Sequence, residues 1–325
     1  MADRAAGPTS RTYFSQRLRL HYVDWGNPDK PALILLHGGR DHCRSWDWTA
    51  EALRDDWHVI APDLRGHGDS QWPSDGHYSF DGYVYDLAQL IHQQQLGPVT
   101  IIAHSLGGRI ALRYAGVYPE TVAKLVVIEG LGPRWVTVDE GRSGSPGTPR
   151  ASGGHGGPAA RPPVSEDEEF RRFRRPIHER MDAWIRDKRA LAGRLPRRYA
   201  SLEEAFHRMQ DDNPRLSAAL ALHLTAHGVN QNEDGTYSWK FDNYLRVWPP
   251  YDMRGGDIQL LWSRVACPTL ILFGRESRFG DPAADGRAAN FPNARVVGFE
   301  GAGHWVHHDR LDEFLRVVQD FLRGG

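Results

Sequence analysis

The chain has few cysteines, almost no excess of charge of either sign, and no long apolar run. Its 325 residues include 2 cysteines, Cys43 and Cys267, which are too few for a disulfide scaffold and predict free thiols in a reducing cytoplasm. The 40 lysines and arginines are balanced by 41 acidic residues, so bulk charge favours neither nucleic acid nor an anionic membrane. Apolar residues never form the run of about 18 that a membrane span needs.

Targeting and cofactor motifs are also missing. Residues 1–11 are small and polar without an apolar centre, so we expect no signal peptide and a disordered N-terminus there. Neither a metal-ligand spacing such as His-Glu-x-x-His nor a glycine-rich phosphate loop occurs, so we expect no metal and no cofactor. These observations predict a cytoplasmic protein that acts on a small molecule, without nucleic acid or membrane. They leave the oligomeric state open.

The most informative stretch is an apolar run that ends in a serine between small residues. Val99–His104 predicts a buried strand, and a helix is predicted from Leu106 onward. Ala103 and Gly107 lie two residues before and after Ser105, where larger side chains would collide with the strand or the helix. Such a turn strains the backbone and lifts the serine hydroxyl above the sheet edge. Taken alone, the same residues also fit an ordinary surface serine.

Three further motifs follow predicted buried strands. They are His37-Gly38-Gly39, the string Asp63-Leu64-Arg65-Gly66-His67-Gly68-Asp69-Ser70, and Gly301-Ala302-Gly303-His304. Together with the serine turn, these motifs resemble the α/β-hydrolase family, whose usual turn is Gly-x-Ser-x-Gly. This chain departs from that pattern at Ala103, which adds one methyl group to the first position.

The resemblance implies an α/β fold, with a mostly parallel eight-stranded sheet flanked by helices and an inserted helical cap. It implies that Ser105 is the nucleophile, that His304 is the base, and that the N–H groups of Gly39 and Leu106 form an oxyanion hole. The chemistry agrees, because a serine hydroxyl needs a base within hydrogen-bond reach and a third group to hold that base.

The chain departs most from the family pattern at the acid that would hold His304. Many members carry an Asp three residues after the glycine that ends the seventh strand, but here Gly274 is followed by Ser277 in that place. Two carboxylates are candidates. Glu129 ends the sixth strand, where certain dehalogenases and a lactonase place a catalytic Glu, and Glu276 is displaced by one residue. We favour Glu129, since a charged residue at the carboxyl end of a buried strand faces the ligand crevice.

The predicted domain organisation is one core with one insertion. The alternation of buried strands stops after residue 133 and resumes at Thr269, so we assign the core to 12–133 and 256–325 and the helical cap to 134–255. Within the cap, residues 139–165 are rich in Gly, Pro, Ser and Arg and have almost no large apolar side chains, which predicts a flexible loop.

The predicted function is a serine hydrolase that cleaves a carboxylic ester or a lactone through an acyl-enzyme on Ser105. One alternative is hydrolysis of a carbon–carbon bond with the same three residues. Another is a ligand-binding protein without catalysis, favoured only by the missing Asp at position 277. Dehalogenases and epoxide hydrolases of the family need an Asp nucleophile, and Ser105 argues against both.

Overall fold

The computed structural model describes residues 7–132, 175–247 and 249–324. The predicted loop at 139–165 lies outside these ranges, as does the rest of the first part of the predicted cap, 134–174. Residues 175–255 of the predicted cap are described except for residue 248.

Strands and helices alternate along most of the described chain. The strands are β1 (Thr9–Ser15), β2 (Leu18–Asp24), β3 (Ala32–Leu36), β4 (His58–Pro62), β5 (Val99–His104), β6 (Val122–Ile128), β7 (Arg198–Tyr199), β8 (Val229–Gln231), β9 (Tyr237–Trp239), β10 (Thr269–Gly274) and β11 (Ala294–Phe299). The helices are α1 (Asp47–Leu53), α2 (Phe80–Gln93), α3 (Leu106–Val117), α4 (Ile177–Leu191), α5 (Leu202–Asp212), α6 (Ala218–Gly228), α7 (Gly255–Ser263), α8 (Val306–Asp309) and α9 (Leu311–Arg323). In the described ranges, no helix combines the length and the apolar character that crossing a membrane requires.

Eight of the strands form one sheet in the order β1-β2-β4-β3-β5-β6-β10-β11. The pairs β1–β2 and β2–β4 are antiparallel, and the other neighbours are parallel. The predicted mostly parallel eight-stranded sheet is therefore confirmed. The carboxyl ends of β3, β5, β6 and β10 meet at one edge, so the residues that follow these strands gather there.

The central strands read as continuous apolar runs because helices cover both faces of the sheet. Alternate residues divide between two cores: Ile101 packs in one and Ile102 in the other. The first core includes buried side chains of α2, α3 and α7, such as Trp262. The second includes side chains of α1 and α9, such as Phe314. The sheet is therefore held rigidly beneath its carboxyl edge.

The described part of the insertion contains α4, α5, α6 and a small sheet in the order β7-β9-β8. Buried polar contacts attach it to the core. The Tyr78 hydroxyl donates to Asp242 Oδ2 at 2.6 Å, and His42 Nε2 donates to the carbonyl of Leu224 at 2.9 Å. Because buried hydrogen bonds are costly to break, these contacts fix the insertion to the core near the carboxyl edge of the sheet.

The expected disorder of residues 1–11 is wrong for residues 9–11. Thr9 begins β1 and pairs with Asp24 of β2, and the two following residues continue the same ladder. Arg11 Nε also lies 3.0 Å from Asp24 Oδ2. Backbone pairing and this ion pair order a polar edge segment that has no apolar pattern of its own.

The packing of α3 against α7 depends on a glycine. A β-carbon on Gly116 would lie 2.5 Å from the carbonyl oxygen of Leu261, whereas one on Gly256 would meet nothing within 4 Å. Both glycines lie in helices, where alanine gains up to about 1 kcal/mol in propensity. We predict that Gly116→Ala destabilises the protein by about 1–3 kcal/mol through overpacking. Gly256→Ala, the matched control, should be neutral or slightly stabilising in denaturant unfolding. Equal effects of the two changes would contradict this account.

Candidate active site

Ser105 lies at the sharp turn between β5 and α3 and has φ +50° and ψ −113°. A side-chain-bearing residue adopts this region only where its surroundings enforce it. The enforcing contacts are close: Ser105 N–H donates to the carbonyl of Ile128 at 2.8 Å, and a β-carbon on Gly107 would lie 2.6 Å from the carbonyl oxygen of Leu36. Small residues around the serine are therefore a steric requirement of the turn.

His304 follows β11 and reaches the serine from the neighbouring loop. Its Nε2 lies 2.9 Å from Ser105 Oγ, within hydrogen-bond distance. Its Nδ1 lies 3.7 Å from Glu129 Oε2, which is an ion-pair distance, too long for a hydrogen bond. Catalytic contacts of this kind commonly shorten once the substrate is bound and the imidazole becomes charged. The structure thus places the His304 ring between the Ser105 hydroxyl and the Glu129 carboxylate. We call these three side chains, in this order, the catalytic line.

Glu129 is the first residue after β6 and also has a positive φ, +52°. Its side chain is 1% exposed. The backbone N–H of Gly274 donates to Oε1 at 2.8 Å, and the Ser277 hydroxyl donates to Oε2 at 2.8 Å. Both oxygens of the carboxylate are therefore held, and the side chain is aimed at His304.

Glu276, the alternative acid, points elsewhere. Its side chain is 47% exposed and forms an ion pair with Arg215. Ser277, which occupies the place of the family's Asp, is the residue that holds Glu129. Sequence reasoning missed this supporting role of Ser277. The available signal was that β6 and β10 are neighbouring parallel strands, so residues just beyond their ends come into contact.

Gly39 and Leu106, whose N–H groups are the expected oxyanion donors, are neighbours in the fold. A β-carbon on Gly39 would lie 3.8 Å from Leu106 Cδ2, and Leu106 is the first residue of α3, whose N–H has no acceptor within its own helix. The loop before Gly39 is fixed by His37, whose Nδ1 donates to the carbonyl of Gly38 at 2.7 Å and whose Nε2 accepts from Leu64 N–H at 3.0 Å. Burial lowers the pKa of His37, in keeping with this neutral form.

Next to His304 lies a cluster of three buried imidazoles, those of His104, His307 and His308, whose rings are tilted against one another. His104 Nε2 donates to the His304 carbonyl at 2.9 Å, and the His104 ring lies 4.7 Å from both the His304 and His307 rings. His307 also stacks on Trp46 at 4.5 Å and contacts His308 at 4.1 Å. Burial, followed by repulsion from neighbouring imidazoles, holds the pKa values of His104 and His307 well below the ordinary value. Burial also lowers the pKa of His308 to about 4.

Two groups of side chains among the described residues are close enough to bind a metal ion. The groups are His21 with Cys43 and Asp63, and Asp47 with His223 and His227. In the second group, Arg44 Nε donates to both oxygens of Asp47 at 2.8 and 2.9 Å. This cation occupies the carboxylate and disfavours a metal there. In the first group, which is buried, the carboxylate of Asp63 contacts the His21 imidazole and the N–H of Cys43, and among the described residues no lysine or arginine forms an ion pair with it.

Comparisons with known proteins agree with the fold described above. A family model described as alpha/beta hydrolase fold matches residues 31–311. A serine hydrolase-like protein of Danio rerio is 24% identical over 306 residues, which cover 92% of this chain and 83% of that protein. Epoxide hydrolase 4 of Mus musculus is 36% identical over 112 residues, covering 34% of this chain and 31% of that protein. The solved thioesterase domain from the curacin biosynthetic pathway has a TM-score of 0.75 at 18% identity, covering 96% and 99% of the two chains, and shares the fold.

The buried imidazoles predict a loss of stability in acid. Above their ordinary pKa of about 6.5 these histidines are neutral in both states and contribute nothing. Below it the unfolded chain binds protons that the folded chain excludes, so the free energy of unfolding falls until the depressed folded pKa is reached, about 4 for His308. We predict that His307→Phe, which keeps an aromatic ring on Trp46, reduces the slope of unfolding free energy between pH 6.5 and 4 by up to about 1.4 kcal/mol per pH unit.

The measurement is denaturant unfolding at several pH values. The control is His207→Phe, because His207 is an exposed histidine of α5 whose side chain is 62% accessible. His207→Phe should leave the pH dependence of the unfolding free energy as it is in the wild type. If His307→Phe also leaves it unchanged, the buried imidazoles do not control acid stability.

Proposed function

The chain belongs to the alpha/beta hydrolase fold family and is a hydrolase of that fold, and from this premise we propose that it cleaves a carboxylic ester or a lactone. One observation carries the proposal. The hydroxyl of Ser105 lies on a strained turn, 2.9 Å from an imidazole nitrogen of His304 and next to an N–H group that has no helical partner. A hydroxyl with a base on one side and N–H donors on the other is arranged for acyl transfer.

In the proposed first step, Ser105 Oγ bonds to the substrate carbonyl carbon while its proton passes to His304 Nε2. The carbonyl oxygen becomes an anion that the N–H groups of Gly39 and Leu106 stabilise. The tetrahedral intermediate then collapses, the bond to the alkoxy oxygen breaks, and that oxygen takes the proton from His304. A water molecule repeats the sequence on the acyl-enzyme, releasing the acid and restoring the Ser105 hydroxyl.

Glu129 is proposed to hold His304 during these steps. The imidazole gains a positive charge when it takes the serine proton, and a carboxylate 3.7 Å from Nδ1 stabilises that charge. Gly274 N–H and the Ser277 hydroxyl keep the carboxylate aimed at the ring. We therefore propose Glu129, and not the exposed Glu276, as the third member of the triad.

The described part of the insertion, residues 175–247 and 249–255, is proposed to act as a cap that shapes the substrate site. Arg215, between α5 and α6, pairs with Glu276 and so reaches the loop next to Ser277. On the oxyanion side, α6 accepts a hydrogen bond from His42. The insertion thus contacts loops on both sides of the catalytic line.

Epoxide opening is disfavoured by the chemistry of the nucleophile. The epoxide hydrolase relative matches about a third of this chain. A carboxylate that opens an epoxide forms an ester, which water can then cleave. A serine hydroxyl would form an ether at Ser105, which the same site cannot hydrolyse. The residue at the turn therefore favours acyl chemistry.

We predict that Ser105→Ala abolishes hydrolysis of the substrates that the wild type cleaves, with a loss of about 10³-fold or more in kcat, because the acyl-enzyme can no longer form. The measurement is a panel of fluorogenic esters and lactones, with a diketone included to detect carbon–carbon bond hydrolysis. Labelling by a fluorophosphonate should occur on the wild type and disappear in Ser105→Ala.

Thermal unfolding of Ser105→Ala is the control for an intact fold. Turnover of only the diketone would replace the ester proposal by carbon–carbon bond hydrolysis. No turnover and no labelling of the wild type would favour a binding protein instead.

We predict that Glu129→Gln lowers kcat by about 10²–10⁴-fold with little change in KM, because the amide keeps the shape but lacks the charge that stabilises the imidazolium. Glu276→Gln is the matched control and should cost less than about tenfold, since its exposed side chain pairs with Arg215. The reverse ranking in steady-state kinetics would move the acid to position 276.

A further inference from the structure

We propose that His21, Cys43 and Asp63 form a binding site for a divalent transition-metal ion, with Zn²⁺ the best-matched ion. The three side chains come from β2, from the segment after the oxyanion loop, and from the residue after β4. All three are buried, and their ligand atoms lie within 4.8 Å of one another. None of them belongs to the catalytic line of Ser105, His304 and Glu129.

The distances are close to those that zinc requires. His21 Nδ1 lies 2.7 Å from Asp63 Oδ2 and 4.0 Å from Cys43 Sγ. Zinc bonds of about 2.0–2.3 Å in tetrahedral geometry set neighbouring ligand atoms roughly 3.3–3.6 Å apart. The third pair, Cys43 and Asp63, lies within 4.8 Å, so shifts on the order of 1 Å would seat the ion between the three atoms. One nitrogen, one sulfur and one oxygen donor form a set that zinc accepts.

The cluster opens onto a cavity of about 110 Å³, which His21, Cys43 and Asp63 all line. This volume accommodates an ion together with water at its fourth position. Lys240 and Asp69 also line the cavity, and they form an ion pair of 2.8 Å, so the lysine charge is compensated.

The groups around the three ligands are arranged as supporting partners of a metal site. Ser10 Oγ lies 2.8 Å from His21 Nε2, the ring nitrogen that would remain free of the metal. Histidine ligands generally hydrogen-bond through that second nitrogen. Asp63 is also fixed, because it accepts the N–H of Cys43 at 2.7 Å and the N–H of Asp69 at 2.9 Å. Both the ring and the carboxylate are therefore oriented in advance.

Charge and protons balance on binding. The S–H bond of Cys43 breaks, a bond from Sγ to the metal forms, and the thiol proton leaves to solvent. The His21 proton moves from Nδ1 to Nε2, where it is donated to Ser10 Oγ, and Nδ1 binds the metal. A thiolate and a carboxylate neutralise the two positive charges of the ion, which removes the main cost of burying it.

The bound ion would join segments that support the candidate oxyanion hole. Cys43 lies four residues after Gly39, and Asp63 precedes Leu64, whose N–H donates to His37. Through His21, the bound ion would therefore connect β2 to the segment after Gly39 and to the segment that holds His37.

The test uses Co²⁺ as the spectroscopic probe and the purified full chain. We expect one equivalent of Co²⁺ to produce the near-ultraviolet charge-transfer band of a thiolate ligand, and Zn²⁺ to displace it. Cys43→Ser should lose this band and bind Zn²⁺ at least about tenfold more weakly. Cys267→Ser is the matched control, since Cys267 is also a buried free thiol, but its polar neighbour is the Thr269 hydroxyl at 4.0 Å. It should keep the band and the affinity.

Ser10→Ala provides a second variant that leaves all three ligands in place. It should retain the band while weakening Zn²⁺ binding by about 10–100-fold, as loss of a supporting hydrogen bond does in other metal sites. Absence of the band in the wild type would overturn the proposal. So would loss of the band in Cys267→Ser, or full retention of Zn²⁺ affinity in both Cys43→Ser and Ser10→Ala.

Discussion

The candidate active site depends on the contact between two strained turns. Ser105 and Glu129 both have positive φ, and they follow the neighbouring strands β5 and β6. The two turns touch, because a β-carbon on Gly108 would lie 2.8 Å from the Cα of Gly130. Ser105 N–H also bonds to the carbonyl of Ile128, immediately before Glu129. Ser105 and Glu129, the proposed nucleophile and acid, are therefore positioned by one tightly packed junction, and neither turn can relax independently.

A second buried carboxylate, Asp63, fixes the segments around the end of β4, in the other half of the sheet. Asp63 accepts hydrogen bonds from His21 and from the N–H groups of Cys43 and Asp69, and these contacts hold its pKa well below the usual range. The turn that follows is built around it, since a β-carbon on Gly68 would overlap the carboxylate. A buried charge with this many donors is oriented as well as compensated. Because Asp63 is a buried, ionised carboxylate with a fixed orientation, it both holds the surrounding turn in place and is suitable as a metal ligand.

The sequence was informative where local geometry restricts residue type. Buried parallel strands require apolar runs, and the serine turn requires Ala103 and Gly107, so the sheet and the turn could be predicted. The ordered structure of residues 9–11 could not be predicted. This polar edge strand is held by pairing with β2, and such pairing requires no alternation of apolar residues in the sequence. The cluster of His21, Cys43 and Asp63 was equally hidden. Its members are about 20 residues apart on separate elements. The pairing of β2 with β4 brings His21 to Asp63, and the bond from Cys43 N–H to Asp63 adds the third member.

The replacement of the family's Asp by Ser277 has a physical reason. β6 and β10 are neighbouring strands, so the residues that follow them lie close together, and Glu129 after β6 is the one whose carboxylate lies 3.7 Å from His304 Nδ1. Two carboxylates there would repel each other, and Glu129, which is buried, would lose a hydrogen-bond donor. A serine instead donates its hydroxyl to Glu129 Oε2 at 2.8 Å. Ser277 therefore supports the carboxylate that we propose as the acid, and a serine at position 277 is compatible with that proposal.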